Sequence, residues 1–324
     1  YTVTGFWDVA LAVDYQMNRL DADVYLFSYP TRHTVLTALA TQLKFSDLDF
    51  QASLVNSYVH DLVEDNTPAG TRQRLSPTLM ISWQPFNGKE FRIRSFYKET
   101  FRMPTFNDLY YTDFRRAYIQ PESAKQYDLG LTYIKVFERG LLSQFSFQAD
   151  GYYNRVKDKI VAVPGNNAQR WSVENIGNVE IKGADVNIQS SWKIRALELG
   201  AGINYTWQKA VDVTTMAVVS YARQIPYTPE HSGSLLFAAT LDKLTMNYSF
   251  IYTGERYNQK ANIPVNYVEP WYTHDISLGY LAEIARSNVR FGIEVNNLLN
   301  QYYDVIANFP MPGRSYRLTL NFNY

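Results

Sequence analysis

The sequence predicts an all-β fold, a transmembrane antiparallel β-barrel with about 14 strands in this chain. Three observations carry that expectation: period-two alternation over long segments, connections that alternate short and long, and the lack of any run near the roughly 18 apolar residues a transmembrane helix needs. The mean hydropathy is −0.30, but a barrel strand shows lipid only at every second residue and so dilutes its own hydrophobic signal.

The alternation is cleanest in four segments. From 144 to 153, Phe145, Phe147, Ala149, Gly151 and Tyr153 oppose Gln144, Ser146, Gln148, Asp150 and Tyr152. From 197 to 207, Leu197, Leu199, Ala201, Ile203, Tyr205 and Trp207 oppose Glu198, Gly200, Gly202, Asn204 and Thr206. From 244 to 252, Leu244, Met246, Tyr248, Phe250 and Tyr252 share one face, and from 289 to 296 so do Val289, Phe291, Ile293 and Val295. Soluble strands average about five or six residues, whereas these approach the roughly 9 to 11 of a tilted membrane strand, and their apolar faces tend to end in Tyr or Trp, as an interfacial girdle would.

Short connections fall near 45 to 47, 85 to 89, 137 to 141, 193 to 196, 241 to 243 and 282 to 287, with turn formers such as Asn87-Gly88, Arg139-Gly140 and Asp242-Lys243. Long ones fill 17 to 33, 60 to 73, 99 to 124, 155 to 177, 208 to 230, 253 to 271 and 297 to 312. Bacterial barrels carry short periplasmic turns and long extracellular loops, so the alternation places the chain in a bacterial outer membrane as a multi-pass protein with its C-terminus periplasmic. Most prolines lie in the long connections, where no ladder bond is lost; Pro77 falls inside a strand.

Composition excludes other classes. With 31 basic and 31 acidic residues and no basic run, the chain lacks the electrostatic footprint of a nucleic-acid binder. It contains no Cys, so neither a disulfide framework nor a thiolate metal site is available. His33, His60, His231 and His274 have no metal-ligand spacing, and no G-x-S-x-G or phosphate-cradling loop occurs, so no enzymatic activity and no cofactor are expected. No signal peptide opens the chain.

The stretch FRIRSFYKETFRMPTFNDLYYTDFRRAYIQPESAKQYDLGL at 91 to 131 contains Phe101, Arg102, Met103 and Pro104, then Leu109-Tyr110, Pro121-Glu122 and Tyr127-x-Leu129-Gly130-Leu131. ENIGNVEIKGADVNI at 174 to 188, IPYTPEHSGSLLF at 225 to 237 and EVNNLLNQYYD at 294 to 304 follow in order, with PGRSYRL after them. Together these blocks resemble the barrel of TonB-dependent receptors. That family's barrel has about 22 strands with a plug inside, so the resemblance implies a C-terminal portion of the barrel over 1 to 324; plug, TonB box and first strands are not recognisable. It further implies uptake of a large, scarce nutrient, energised by the TonB complex acting on the plug, with a ferric siderophore or cobalamin as the metal-chelate or corrinoid ligand. The resemblance also disfavours haem, since haem-type members carry a His in the loop after the Arg-aromatic-Pro block and an Asn-Pro-Asn-Leu element before Pro-Glu, whereas no His lies between 99 and 124 here and the run before Pro121-Glu122 reads RRAYIQ. A passive 14-stranded porin and a surface adhesin are the alternatives.

The final segment RSYRLTLNFNY, with Tyr316, Leu318, Leu320, Phe322 and Tyr324 on one face, resembles the C-terminal strand through which the barrel-assembly machinery recognises its clients. Loop residues Tyr110, Tyr111, Trp171, Tyr221, Tyr257 and Trp271, with Arg115 and Arg116, are candidates to contact a planar or anionic ligand. Asp61, Glu64 and Asp65 are weak candidates for calcium, a hard cation that favours closely spaced carboxylates. Gly130 and Gly183 mark close approaches in strands, and the Asn296 to Asn300 run reads as a strand-end cap.

Overall fold

The computed structural model describes residues 1–23, 27–65, 67–88, 90–110, 119–164, 171–284 and 287–323. Its strands are β1 (Thr2–Thr4), β2 (Trp7–Arg19), β3 (Thr31–Lys44), β4 (Leu48–Leu62), β5 (Thr71–Trp83), β6 (Phe91–Arg102), β7 (Glu122–Val136), β8 (Leu142–Pro164), β9 (Trp171–Ile194), β10 (Leu197–Asp212), β11 (His231–Leu241) and β12 (Leu244–Thr253). They continue with β13 (Arg256–Tyr257), β14 (Tyr267–Val268), β15 (Trp271–Ile284), β16 (Ser287–Asn296), β17 (Asp304–Ile306), β18 (Phe309–Pro310) and β19 (Ser315–Asn323). Among the described residues a short α-helix, α1 (Phe106–Tyr110), lies in the connection after β6.

A single antiparallel sheet of 15 strands runs in chain order from β1 to β19, while β13-β14 and β17-β18 form two small ribbons within connections. Neighbours in sequence are neighbours in space, as expected for strands joined by hairpins. Beyond the three-residue β1 this leaves the fourteen long strands that the alternation predicts. Among the described residues β2 and β19 do not pair with each other, so the sheet is open. Short turns use backbones that suit tight reversals: Gly140 has φ +104°, Arg195 +56° and Asp242 +53°.

Register carries one lipid-facing layer across many strands. Trp192, Leu199, Ala239, Met246, Leu278 and Ile293 are aligned neighbours from β9 to β16, as are Ile188, Ile203, Leu235, Phe250 and His274 above them. Tyr316, Leu318, Leu320 and Phe322 of β19 extend that face beside Val295, Ile293, Phe291 and Val289. The other face is polar: Asn187 donates to the Asn204 side chain, and Asn204 Nδ2 donates to Ser234 Oγ at 3.1 Å. Arg at Leu199 or Ile203 should therefore cost about 2 to 4 kcal/mol near the midplane, and Arg at Asn204 far less. A refolding titration checks this; equal tolerance at both faces would reverse the orientation.

The strands outrun the expected loop boundaries. β8 continues to Pro164 and β9 starts at Trp171, well inside the segment 155 to 177 expected as a loop. Beyond the bilayer no face touches lipid, so the ladder persists while the apolar alternation that reveals it stops at Arg155 and Lys157. Pro77 also has a consequence. β4 and β5 pair over the whole of β5, but β5 and β6 pair only from Thr78 to Trp83. The ladder to β6 ends beside the residue that has no N–H to donate.

Gly130 and Gly183 sit at close approaches on the polar face. A Cβ on Gly130 would meet the Asp150 carboxylate and the Arg94 Nε, and one on Gly183 would enter the Tyr152 ring.

Candidate functional site

The long connections gather at one end of the sheet and fold back over its polar face. Their packing starts from strand residues that point inward. Arg32 on β3 and Asp61 on β4 are direct cross-strand neighbours, and the guanidinium donates to both carboxylate oxygens at 2.7 Å. The Asp61 side chain has 0% exposure and that of Arg32 13%. The same guanidinium donates to the Pro104 carbonyl at 2.8 Å, and its Cζ lies over the Phe106 ring, 5.0 Å from the centroid. Tyr110 completes the cluster, accepting from the Ala69 N–H at 3.0 Å and facing Asp61 Oδ2 at 3.5 Å. Burial, with the Asp61 charge beside it, pushes the Tyr110 phenol pKa up. Leu109, Tyr110, Ile119, Ile160 and Val173 form an apolar core around it.

Glu122 holds the neighbouring hairpin, accepting from the Ile160 N–H at 2.9 Å while Lys159 lies 3.8 Å away; Arg102 approaches it only to 4.0 Å. A second core joins Ala124, Val156, Ile176, Val179, Ala210 and Ile225, tying the 213–230 connection to the wall. Asp212 folds that connection, accepting from Thr214 N–H at 2.9 Å and from Ser220 Oγ at 2.6 Å.

Three connections lock into one rim. Tyr227 N–H donates to the Tyr257 carbonyl at 2.7 Å, and Asn262 Nδ2 to the Gln224 carbonyl at 3.0 Å. Arg256, 3% exposed, donates to the carbonyls of Glu269 at 3.0 Å, Asp304 at 2.6 Å and Val305 at 3.0 Å. Burial lowers its pKa from the ordinary arginine value. Asn297, in the run expected to cap a strand end, has φ +50° and bonds the backbone of Gln301 through both ends of its amide.

Of the residues proposed from sequence, Tyr221, Tyr257 and Trp271 lie on this rim. Trp271 stacks on Tyr303 with centroids 4.7 Å apart, and Tyr257 packs edge-on against Tyr267 at 5.9 Å. The Trp271 Nε1 is buried without a hydrogen-bond partner among the described residues. Tyr110 lies apart, buried with its hydroxyl engaged. Tyr111, Arg115, Arg116 and the Trp171 side chain are outside the described residues, as is Tyr324.

The acidic trio is not brought together: Asp61 points inward to Arg32, while Glu64 pairs with Arg19 at 3.3 Å, both partners exposed. Among the described residues no group of His, Asp and Glu could hold a metal ion. The four histidines all lie on the lipid-facing side, and three bond a tyrosine hydroxyl there: His33 with Tyr15, His231 with Tyr205 and His274 with Tyr248, at 2.7 to 2.8 Å. Sequence reading missed Arg32 and Arg256, whose partners lie far along the chain, and Asp212, whose partners Thr214 and Ser220 lie in its own connection.

Known proteins place this architecture. The chain is 21% identical over 298 residues to a vitamin B12 transporter, BtuB, of Photobacterium profundum, covering 90% of this chain and 43% of that relative. Among solved structures it matches the FrpB iron transporter of Neisseria meningitidis with a TM-score of 0.69 at 13% identity, over 98% of this chain and 52% of that one. BauA, the ferric preacinetobactin receptor of Acinetobacter baumannii, gives 0.68 at 17% identity, over 90% and 43%. The chain thus spans about half the length of the proteins it resembles. A family model described as TonB dependent receptor-like, beta-barrel matches residues 3–298, and the chain belongs to that family.

Proposed function

We propose that this chain is a C-terminal portion of the barrel of an outer-membrane receptor that imports a large, scarce nutrient, a ferric siderophore or cobalamin, with energy delivered through TonB. The observation that carries the reading is the interlocked rim of long connections standing over a polar inner wall, in a chain of this family. Aromatic and polar loop side chains held in fixed positions suit a bulky chelate better than free diffusion of small solutes. Tyr221, Tyr257 and Trp271 are the described residues assigned to ligand contact, with Tyr111, Arg115, Arg116 and Trp171 as further candidates. In this reading the open edge of β2 beyond the short β1, and that of β19, pair with further strands of the same receptor, since each unpaired backbone group in lipid costs several kcal/mol. The rest of the receptor supplies the plug that TonB pulls, and β19 engages the barrel-assembly machinery.

The test is uptake by cells carrying the full-length receptor, with labelled ferric siderophores and labelled cobalamin, in strains with and without TonB. Saturable uptake of one class, lost without TonB, is the expected result. Non-saturable uptake indifferent to TonB would replace this reading with a porin, and surface adhesion without uptake with an adhesin. Cysteine labelling of intact cells at Met216 but not at Asp242 is expected from the same orientation.

A further inference from the structure

The outward face of β6 to β10 differs from the rest of the lipid-facing surface. Tyr97, Tyr127 and Tyr153 stand side by side on β6, β7 and β8, with centroids 5.1 and 6.2 Å apart. Such an aromatic tier marks the level of lipid headgroups. One alternation further along, about 7 Å towards the long loops, the same face carries Glu99, Lys125, Arg155 and Glu180, each a cross-strand neighbour of the next. Lys157 lies beyond Arg155, while Lys182 and Lys209 face each other across β9 and β10.

Five cations on this face therefore meet two carboxylates, and Arg74 reaches one of them, Glu99, from β5 at 3.4 Å. Glu99 pairs with Lys125 at 3.6 Å and Glu180 with Arg155 at 3.3 Å. Lys157, Lys182 and Lys209 are exposed and have no carboxylate partner among the described residues. Lys182 is also positioned, its Nζ 5.7 Å from the Tyr153 ring centroid. From Lys182, which stands in register with Tyr153, a shallow outward groove of about 980 Å³ runs away from Arg155 and Lys157, lined by Leu79, Ser95, Tyr127, Leu129, Gly151 and Trp207. It is open because Ser95 and Gly151 interrupt rows of large side chains.

We infer that this face binds a phosphorylated lipid of the surrounding leaflet, its phosphate among Lys157, Lys182 and Lys209 and its acyl chains in the groove beneath. A zwitterionic headgroup would leave the excess positive charge unanswered, whereas phosphate matches it, and the tier of tyrosines sets the depth at which headgroup gives way to chain. The inference rests on membrane placement of the chain but not on which nutrient is imported.

The test uses the full-length receptor extracted from its membrane into neutral detergent, with phosphatidic acid carrying a fluorescent acyl chain as probe and the matching phosphatidylcholine as control. Lys157→Gln, Lys182→Gln and Lys209→Gln together should weaken phosphatidic acid binding about a hundredfold at low salt, since each charge near such a surface contributes about fivefold. Lys193→Gln with Lys243→Gln, at the opposite end of the strands, should leave it unchanged. Gly151→Phe should weaken binding with every charge retained; a Cβ there meets only the Leu129 carbonyl, at 4.0 Å. Equal affinity of the triple variant and the unaltered receptor would overturn the inference. So would phosphatidylcholine binding as tightly, or inorganic phosphate displacing the lipid completely, which would mean a bare anion site. A receptor missing from the membrane fraction would instead count against its placement.

Discussion

Asp61→Ala is expected to destabilise the loop end of the sheet by about 3 to 5 kcal/mol, because it strands the buried Arg32 guanidinium with one carbonyl in place of a carboxylate. Arg32→Met with Asp61→Leu should recover most of that loss, since the pair's attraction is offset by the cost of removing both charges from water. Denaturant titration of the full-length receptor, run as a double-mutant cycle, reads the coupling directly. Single-variant losses below about 1 kcal/mol would show that water reaches the pair as at a surface bridge. Tyr110→Phe removes only a hydroxyl and should cost about 1 kcal/mol.

Arg256→Leu is the second large effect. The guanidinium is the common donor to carbonyls on two connections and has no carboxylate partner among the described residues. Charge-assisted hydrogen bonds contribute roughly 1.5 to 3 kcal/mol each and do not add fully, so a local loss of about 3 to 5 kcal/mol is expected. It should appear as proteolytic nicking of the 254–270 and 297–314 connections while the sheet stays folded. Arg256→Lys should restore less than half, because one ammonium cannot span carbonyls on both connections as the planar fork does. Unchanged protease resistance in Arg256→Leu would mean that the Asn262 and Tyr227 bonds suffice to hold the rim.

The sheet could be read from the chain because lipid imposes its pattern residue by residue. Leu199, Ile203 and Tyr205 face one way and Asn204 the other because a strand in a bilayer has only two environments. The same logic located the turns at Arg139-Gly140 and Asp242-Lys243, where few backbones close so tight a reversal. It failed where lipid ends. Arg155 and Lys157 break the alternation, yet β8 and β9 remain paired as far as Pro164 and Trp171.

The rim was harder to read for a different reason. Asp61, Glu64 and Asp65 are close in sequence, but Asp61 lies on an inward strand position and Glu64 past the strand end, so spacing suggested a cluster that geometry separates. Tyr110 reads as an exposed loop aromatic until α1 turns it onto Asp61. Arg256 has no local signature at all, because its acceptors lie up to 49 residues away.

The shortened ladder at Pro77 divides the loop end of the wall into two panels. One ends at β5 and the other begins at β6, and Arg74 and Glu99 face each other at 3.4 Å across the gap. The segment leaving β6 does not stay with its own panel. It crosses to β3 and β4, where Arg32 grips Pro104 and Asp61 meets Tyr110. It therefore acts as a suture over a split in the fabric, and the buried ion pair is its knot. Loosening the knot would free two halves of the mouth to move apart as plates, while the continuous ladder from Thr78 to Trp83 held the wall below them shut.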